Sequence, residues 1–137
     1  MKKLDEIRAM REEYKKRLET ESQAILAEAF KEVFDAHPEI KAIGWTQYTP
    51  YYNDGNPCVF GVGDFSYSEE DVDPSKPGSL YEEPWSESYG RDKGQLAAAV
   101  NGLARELPDD VMNAAFGDHV RVIATREGFH TTGYSHD

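Results

Sequence analysis

Residues 40–67 read IKAIGWTQYTPYYNDGNPCVFGVGDFSY, and this stretch decides the fold. Ile40 to Thr49 is rich in β-formers, Pro50 to Pro57 is a turn cluster holding Asn53-Asp54-Gly55, and Cys58 to Tyr67 is strand-like again. A β-hairpin is predicted. Its loop exceeds the tightest two-residue form, and the Asp-Gly pair supplies the positive φ values that a reversal needs. Strand alternation turns Trp45, Gln47 and Thr49 to one face and Thr46 and Tyr48 to the other, so each face carries polar groups.

Upstream, the chain has no Gly or Pro before Pro38 and is rich in Glu, Lys, Arg, Ala and Leu, which predicts one long helix over residues 1–36. Its apolar pattern changes partway. Leu4, Ile7, Tyr14 and Leu18 follow three-and-four spacing with Arg11 interrupting, a narrow seam of coiled-coil type. Ile25, Leu26, Ala29, Phe30, Val33 and Phe34 form the wider stripe of a helix packed on a core. At about 1.5 Å per residue such a helix spans roughly 50 Å, longer than the globule the remaining residues can build. The first half must therefore protrude. Its seam predicts a homo-oligomer interface at Leu4, Ile7, Tyr14 and Leu18, most simply with a symmetric copy.

Downstream, residues 64–90 carry one basic and eight acidic side chains, with Pro74, Pro77, Gly78 and Pro84, and are expected to form a long acidic loop. Loops of that length in compact domains are functional or disordered. Gln95 to Leu107 is helical by composition, and Pro108-Asp109-Asp110 starts a short helical turn ending at Gly117. Val120 to Thr125 and Phe129 to Tyr134 predict a second hairpin around Glu127-Gly128. The order is helix, two strands, long loop, helix, two strands. It predicts a single α+β domain over residues 1–137: a long N-terminal helix, an antiparallel sheet of two hairpins, one further helix and a short helical turn.

Composition sets limits on function. The chain has 137 residues, 30% charged, and a net charge of -11, so wrapping of bulk nucleic acid through many phosphate contacts is disfavoured. No apolar run approaches the roughly 20 residues that cross a bilayer, so no membrane partner and a cytoplasmic location are expected. The one cysteine, Cys58, excludes an internal disulfide framework and any multi-cysteine zinc site.

The residue types that suit a ligand gather at the first hairpin. A planar nucleobase would stack on Trp45, Tyr48, Tyr51 or Tyr52, while Gln47, Asn53 and Asp54 read its polar edges. Arg91 and Lys93, just before the second helix, are the candidates to neutralise an anionic group. The competing reading is structural: aromatics fill sheet cores and Asn-Asp-Gly builds turns. The segment from Trp45 to Cys58 also resembles a small uncharacterised family of phage and bacterial proteins with the motif WTQYTPY, an aromatic, NDG, a variable residue and PC. Here Tyr52 stands where a Phe is usual and Asn56 where an acidic residue is usual. That resemblance implies a phage setting, with a host-takeover or defence-evasion binding role, and no particular mechanism.

Other chemistry is thinner. With Glu127-Gly128 as a two-residue loop, His119 would face His136 and Thr125 would face His130, a cluster that motivates a histidine-dependent hydrolase or a metal site. Gly61 and Gly63 lack the Gly-Lys-Ser and helix of a phosphate loop and instead suggest a bulge. No catalytic residue, metal ligand or cofactor is assigned. The expected function is a non-enzymatic oligomeric binding protein sequestering a small nucleotide-like ligand. The alternatives are a module binding a host or virion protein, or the hydrolase.

Overall fold

The computed structural model describes residues 2–50, 58–76, 79–90 and 93–134. In chain order these form α1 (Lys2–Ala36), β1 (Ala42–Tyr48), β2 (Gly61–Val62), β3 (Ser66–Ser68), β4 (Trp85–Glu87), α2 (Gln95–Glu106), α3 (Asp109–Phe116), β5 (Val120–Thr125) and β6 (Gly128–Gly133). The strands make one antiparallel sheet in the order β4-β3-β1-β5-β6, and β2 pairs with β1 on the side of β3. The fold is α+β. The segment after Pro108 is a complete helix, in which Asp109 and Asp110 sit favourably at the positive end of the dipole and Gly117, at φ 88°, ends it. Among the described residues no helix is long and apolar enough to cross a membrane.

One sheet face carries the main core. Phe30 and Phe34 of α1 and Val100 and Met112 of the other two helices are buried on Ile43, Trp45, Val122 and Ala124 of the sheet. Within α1 the residues that reach this core, Ser22, Leu26, Phe30 and Phe34, recur every fourth position in its second half. The end of α1 is tied down by Arg126, whose guanidinium donates to Asp35 Oδ1 (2.8 Å) and to the Phe34 carbonyl. That contact both satisfies an orphan carbonyl and sets a cation at the negative helix end.

The first hairpin is bulged. Gln47 pairs with Val62 and Gly44 with Ser66, so Trp45 and Thr46 on β1 face three residues, Gly63, Asp64 and Phe65. The Gly63 amide donates to Thr46 O (2.8 Å), and a Cβ at Gly63 would lie 3.0 Å from that carbonyl, too close for any other residue without a shift. The extra residue turns Phe65 onto the same face as Trp45, where the rings stack at 4.6 Å.

The other sheet face is also covered. Although the segment between β3 and β4 is acidic, Leu80 and Trp85 are buried against Ala42 and Ile123, with Val72 half-buried beside them. Gly44 leaves room for this layer, since a Cβ there would meet Leu80 Cδ2 at 3.0 Å and the Trp85 ring at 3.2 Å. The acidic loop is therefore a lid on the sheet whose charges face outward.

The second hairpin turns one residue earlier than expected, which moves each cross-strand partner by two. Thr125 pairs with Gly128, so Arg126-Glu127 form the loop, His130 lies opposite Ile123, and the Tyr134 amide donates to His119 O (2.8 Å). Thr125 therefore does not face His130, and His136, the partner expected for His119, lies outside the described residues. The expected pairings slipped because the turn was placed at Glu127-Gly128, whereas Gly128, at φ 135°, follows the turn.

We expect Gly44→Val to lower stability by about 1–3 kcal/mol through overpacking against Leu80 and Trp85. Urea denaturation will show the loss, and limited proteolysis between β3 and β4 will quicken as the lid detaches.

Candidate functional site

The Trp45 to Asp54 stretch divides into parts with different fates. Trp45 is 0% exposed, stacked on Phe65, 5.4 Å from Phe30 and edge-on to Phe116 at 5.6 Å. Its Nε1 donates to Gln47 Oε1 (3.0 Å), and Gln47 Nε2 donates to Met112 O (2.9 Å) and to Gly117 O (2.7 Å). Every polar atom of the Gln47 amide is thereby used, and Gln47 is itself 0% exposed. Trp45 and Gln47 are core residues that fasten α3 to β1, which corrects their assignment as ligand-binding residues. The cause is the helical layer over that face, which seals a surface that strand alternation alone leaves open.

Tyr48 is different. It is half-buried at the end of β1, with His119 at 6.4 Å and Tyr134 at 5.7 Å between ring centroids, and the Arg121 guanidinium lies 5.9 Å from the Tyr134 ring. Asp118 braces this cluster. Its carboxylate accepts from the Thr49 amide (2.8 Å), Thr49 Oγ1 (2.6 Å) and the His119 amide (2.9 Å). Burial pushes the Asp118 carboxyl up, but these hydrogen bonds and the neighbouring His119 outweigh it and hold the group below the ordinary value of 3.8. His119 sits at φ 54°, a left-handed conformation uncommon for a non-glycine residue. Tyr51, Tyr52, Asn53 and Asp54, the remaining hairpin candidates, lie outside the described residues.

A second feature is a cleft between the hairpin bulge and the outer face of α2. Ala97 and Val100 turn inward, which leaves Asn101 and Arg105 to line a space of about 530 Å³ together with Asp64 and Tyr89. A neighbouring space of about 320 Å³ shares Gly90, Asn101 and Arg105 and brings in Lys93. Tyr89 hydrogen-bonds Glu87 and, with burial and the Asp64 charge adding, its phenol is raised above 10.0 and stays a neutral donor. Arg91 lies outside the described residues. Lys93 reaches this space rather than serving the start of α2 alone, and the sequence signal for Asn101 and Arg105 beside it is their i, i+4 spacing on an otherwise Ala- and Leu-rich helix.

The third feature is α1 itself. Leu4 (45% exposed), Ile7 (54%), Met10 (70%) and Tyr14 (61%) contact no core, whereas Leu18 is half-buried. Ile25, at 63%, continues the same stripe past Ser22, where the other stripe becomes buried. Near its base the stripe borders an apolar groove of about 490 Å³ formed by Tyr14, Leu18 and Ile25 with Leu107, Pro108 and Val111. The helix thus has two apolar stripes, one buried and one open.

Among the described residues no group of three or more His, Cys, Asp or Glu side chains is placed to hold a metal ion. Comparison with protein-family models, with curated proteins and with solved structures finds no match to this chain.

Two outcomes follow from this geometry. Gln47→Leu will cost about 2–4 kcal/mol, because it removes the acceptor of buried Trp45 Nε1 and the donor to the carbonyls of Met112 and Gly117, and equilibrium unfolding measures it. The Asp118 contribution is present at neutral pH, where the carboxylate is ionised in both states, and is lost as pH falls below 3.8 through its lowered folded value. At 39% exposure it is small, so the unfolding midpoint of Asp118→Asn will lie slightly below the parent at about pH 6 and converge with it near about pH 2.5.

Proposed function

We propose that this chain is a binding protein whose N-terminal helix is a docking arm for another polypeptide. The observation that carries this reading is the open stripe of Leu4, Ile7, Met10, Tyr14 and Ile25 on a helix whose other stripe is already buried. Monomeric proteins seldom leave a contiguous apolar seam in water without a partner for it. The heptad-like spacing suits another helix, which would bury the seam by knobs-into-holes packing. The partner is either a second copy, making the oligomer expected from the sequence, or a different protein. The phage or bacterial setting implied by the resemblance of Trp45 to Cys58 goes with a role in binding a host or virion component.

A second reading is supported by the cleft at α2. Lys93, Arg105, Asn101 and the Tyr89 hydroxyl offer cations and hydrogen-bonding edges suited to a small anionic molecule such as a nucleotide. In this form the sequestering role moves from the Trp45 face to the α2 cleft, with Tyr48 left at a separate cluster.

A photo-crosslinking residue at position 7 in the open stripe, compared with one at position 16 on the opposite side of the helix, tests the docking arm in cells that naturally express the protein. Position 7 will give a discrete adduct and position 16 none; adducts from neither, or equally from both, would contradict the reading. Replacing Ile7 and Tyr14 together by Asp will remove the adduct formed from a probe at position 4, while the melting temperature changes by less than about 2 °C. For the second reading, a nucleotide that raises the melting temperature of the parent will fail to do so with Arg105→Ala; no shift by any nucleotide excludes it.

A further inference from the structure

The charges that flank the open stripe identify the chemistry of what it binds. Residues 2–18 hold seven basic and four acidic side chains, a net of +3 in a chain whose total is -11. They are also segregated. Successive residues turn by about 100° around a helix, so Lys3, Arg8, Arg11, Lys15 and Arg17 fall within roughly a quarter turn of the axis of the seam. Asp5, Glu6, Glu12, Glu13 and Glu19 fall outside that sector, as do Lys2 and Lys16, whereas Glu21 lies within the seam below Leu18. All of these side chains are exposed. The intrahelical pairs Lys3 to Glu6 (3.4 Å), Arg8 to Asp5 (3.9 Å) and Arg17 to Glu21 (3.9 Å) are solvated and weak, and leave the basic border intact.

This border opposes pairing of two α1 seams. In a parallel pair Arg11 would face the second copy's Arg11 within the seam, and Lys3 would lie beside the second copy's Arg8. In an antiparallel pair Arg8 would meet the second copy's Lys15, and Lys3 the second copy's Arg17. Both arrangements set like charges together. Docking of the arm on the acidic body of another copy fares no better, because Leu80 and Trp85 of the acidic segment are turned onto its own sheet and offer no apolar groove. A bilayer surface is a poor match for a different reason. Interfacial helices bury a broad apolar face, whereas this stripe is one or two side chains wide.

We infer that the arm binds an amphipathic helix of a different polypeptide, laid along α1 from Leu4 to the groove at Leu107 and Val111, with its carboxylates along the stretch from Lys3 to Arg17 and none at the groove, which Glu21 and Glu106 line. This rests on the docking-arm reading above and names the partner's chemistry. The seam from Leu4 to Ile25 is about 30 Å long and calls for a partner of about three heptads. Apolar residues at the partner's seam positions would meet Leu4, Ile7, Tyr14, Leu18 and Ile25, and its flanking carboxylates would meet Lys3, Arg8, Lys15 and Arg17, with Arg11 paired inside the seam.

Two synthetic helical peptides, each four heptads long with Leu at the seam positions, one flanked by Glu and the other by Lys, are titrated into the full chain. The Glu-flanked peptide will bind, and its affinity will fall by at least about tenfold between roughly 50 and 500 mM NaCl. Arg11→Glu combined with Lys15→Glu will weaken it by a similar factor with an unchanged melting temperature, and the Lys-flanked peptide will not bind. Sedimentation of the chain alone at micromolar concentration will give a monomer. The inference is overturned by a dimer of the chain, by equal binding of both peptides, by no binding of either, or by tighter binding to phosphatidylglycerol vesicles than to the Glu-flanked peptide. An adduct at position 7 with no binding of the acidic peptide removes the charge inference alone, while loss of both removes the docking arm as well.

Discussion

The buried amide of Gln47 is the contact on which the arrangement of the molecule depends. It accepts from Trp45 on its own strand and donates to the carbonyl of Met112 in α3 and to that of Gly117 at its C-terminal end, so one buried side chain serves three polar groups. Each of those groups would be costly to bury unpaired, and paired they specify one position of α3 over the sheet. With α3 fixed, α1 packs over it, joined by the Gln23 amide to the Ala115 carbonyl (2.5 Å) and by Phe30 against Trp45. The aromatic column of Phe30, Trp45 and Phe65 supplies the apolar area around this polar knot.

A consequence of anchoring α1 only from Ser22 onward is that its first half is held at a single end. The open stripe is rotated by about a third of a turn from the buried one, so a shift along the axis would not bring both onto the same core. The body below is strongly acidic and the arm is basic along its open side. The molecule is therefore polarised in charge as well as in shape.

The long helix, the α+β order and the two hairpins were legible because they rest on local signals: absence of Gly and Pro over residues 1–36, the Asn-Asp-Gly cluster and the β-rich runs on either side of it. The open seam was legible at Leu4, Ile7 and Tyr14 for the same reason. What escaped was tertiary. Trp45 and Gln47 looked available because alternation says which face a residue takes and nothing of what covers it. Leu80 and Trp85 were overlooked among acidic neighbours, although two large apolar residues opposite a strand glycine, Gly44, are the trace of a packed layer. The register of the second hairpin turned on placing the turn one residue too late, and with it went the pairing of Thr125 with His130.

Amide hydrogen exchange on the dilute protein tests most directly the claim that α1 is anchored along one half and open along the other. Isolated helices of that length are marginal in water, so amides in residues 3–17 will exchange with little protection while those in residues 26–36 and 42–48 exchange near the global unfolding limit. Uniform protection along the whole of α1 in a sample shown to be monomeric would mean that the first half already has a packing partner within the chain, and would contradict the account.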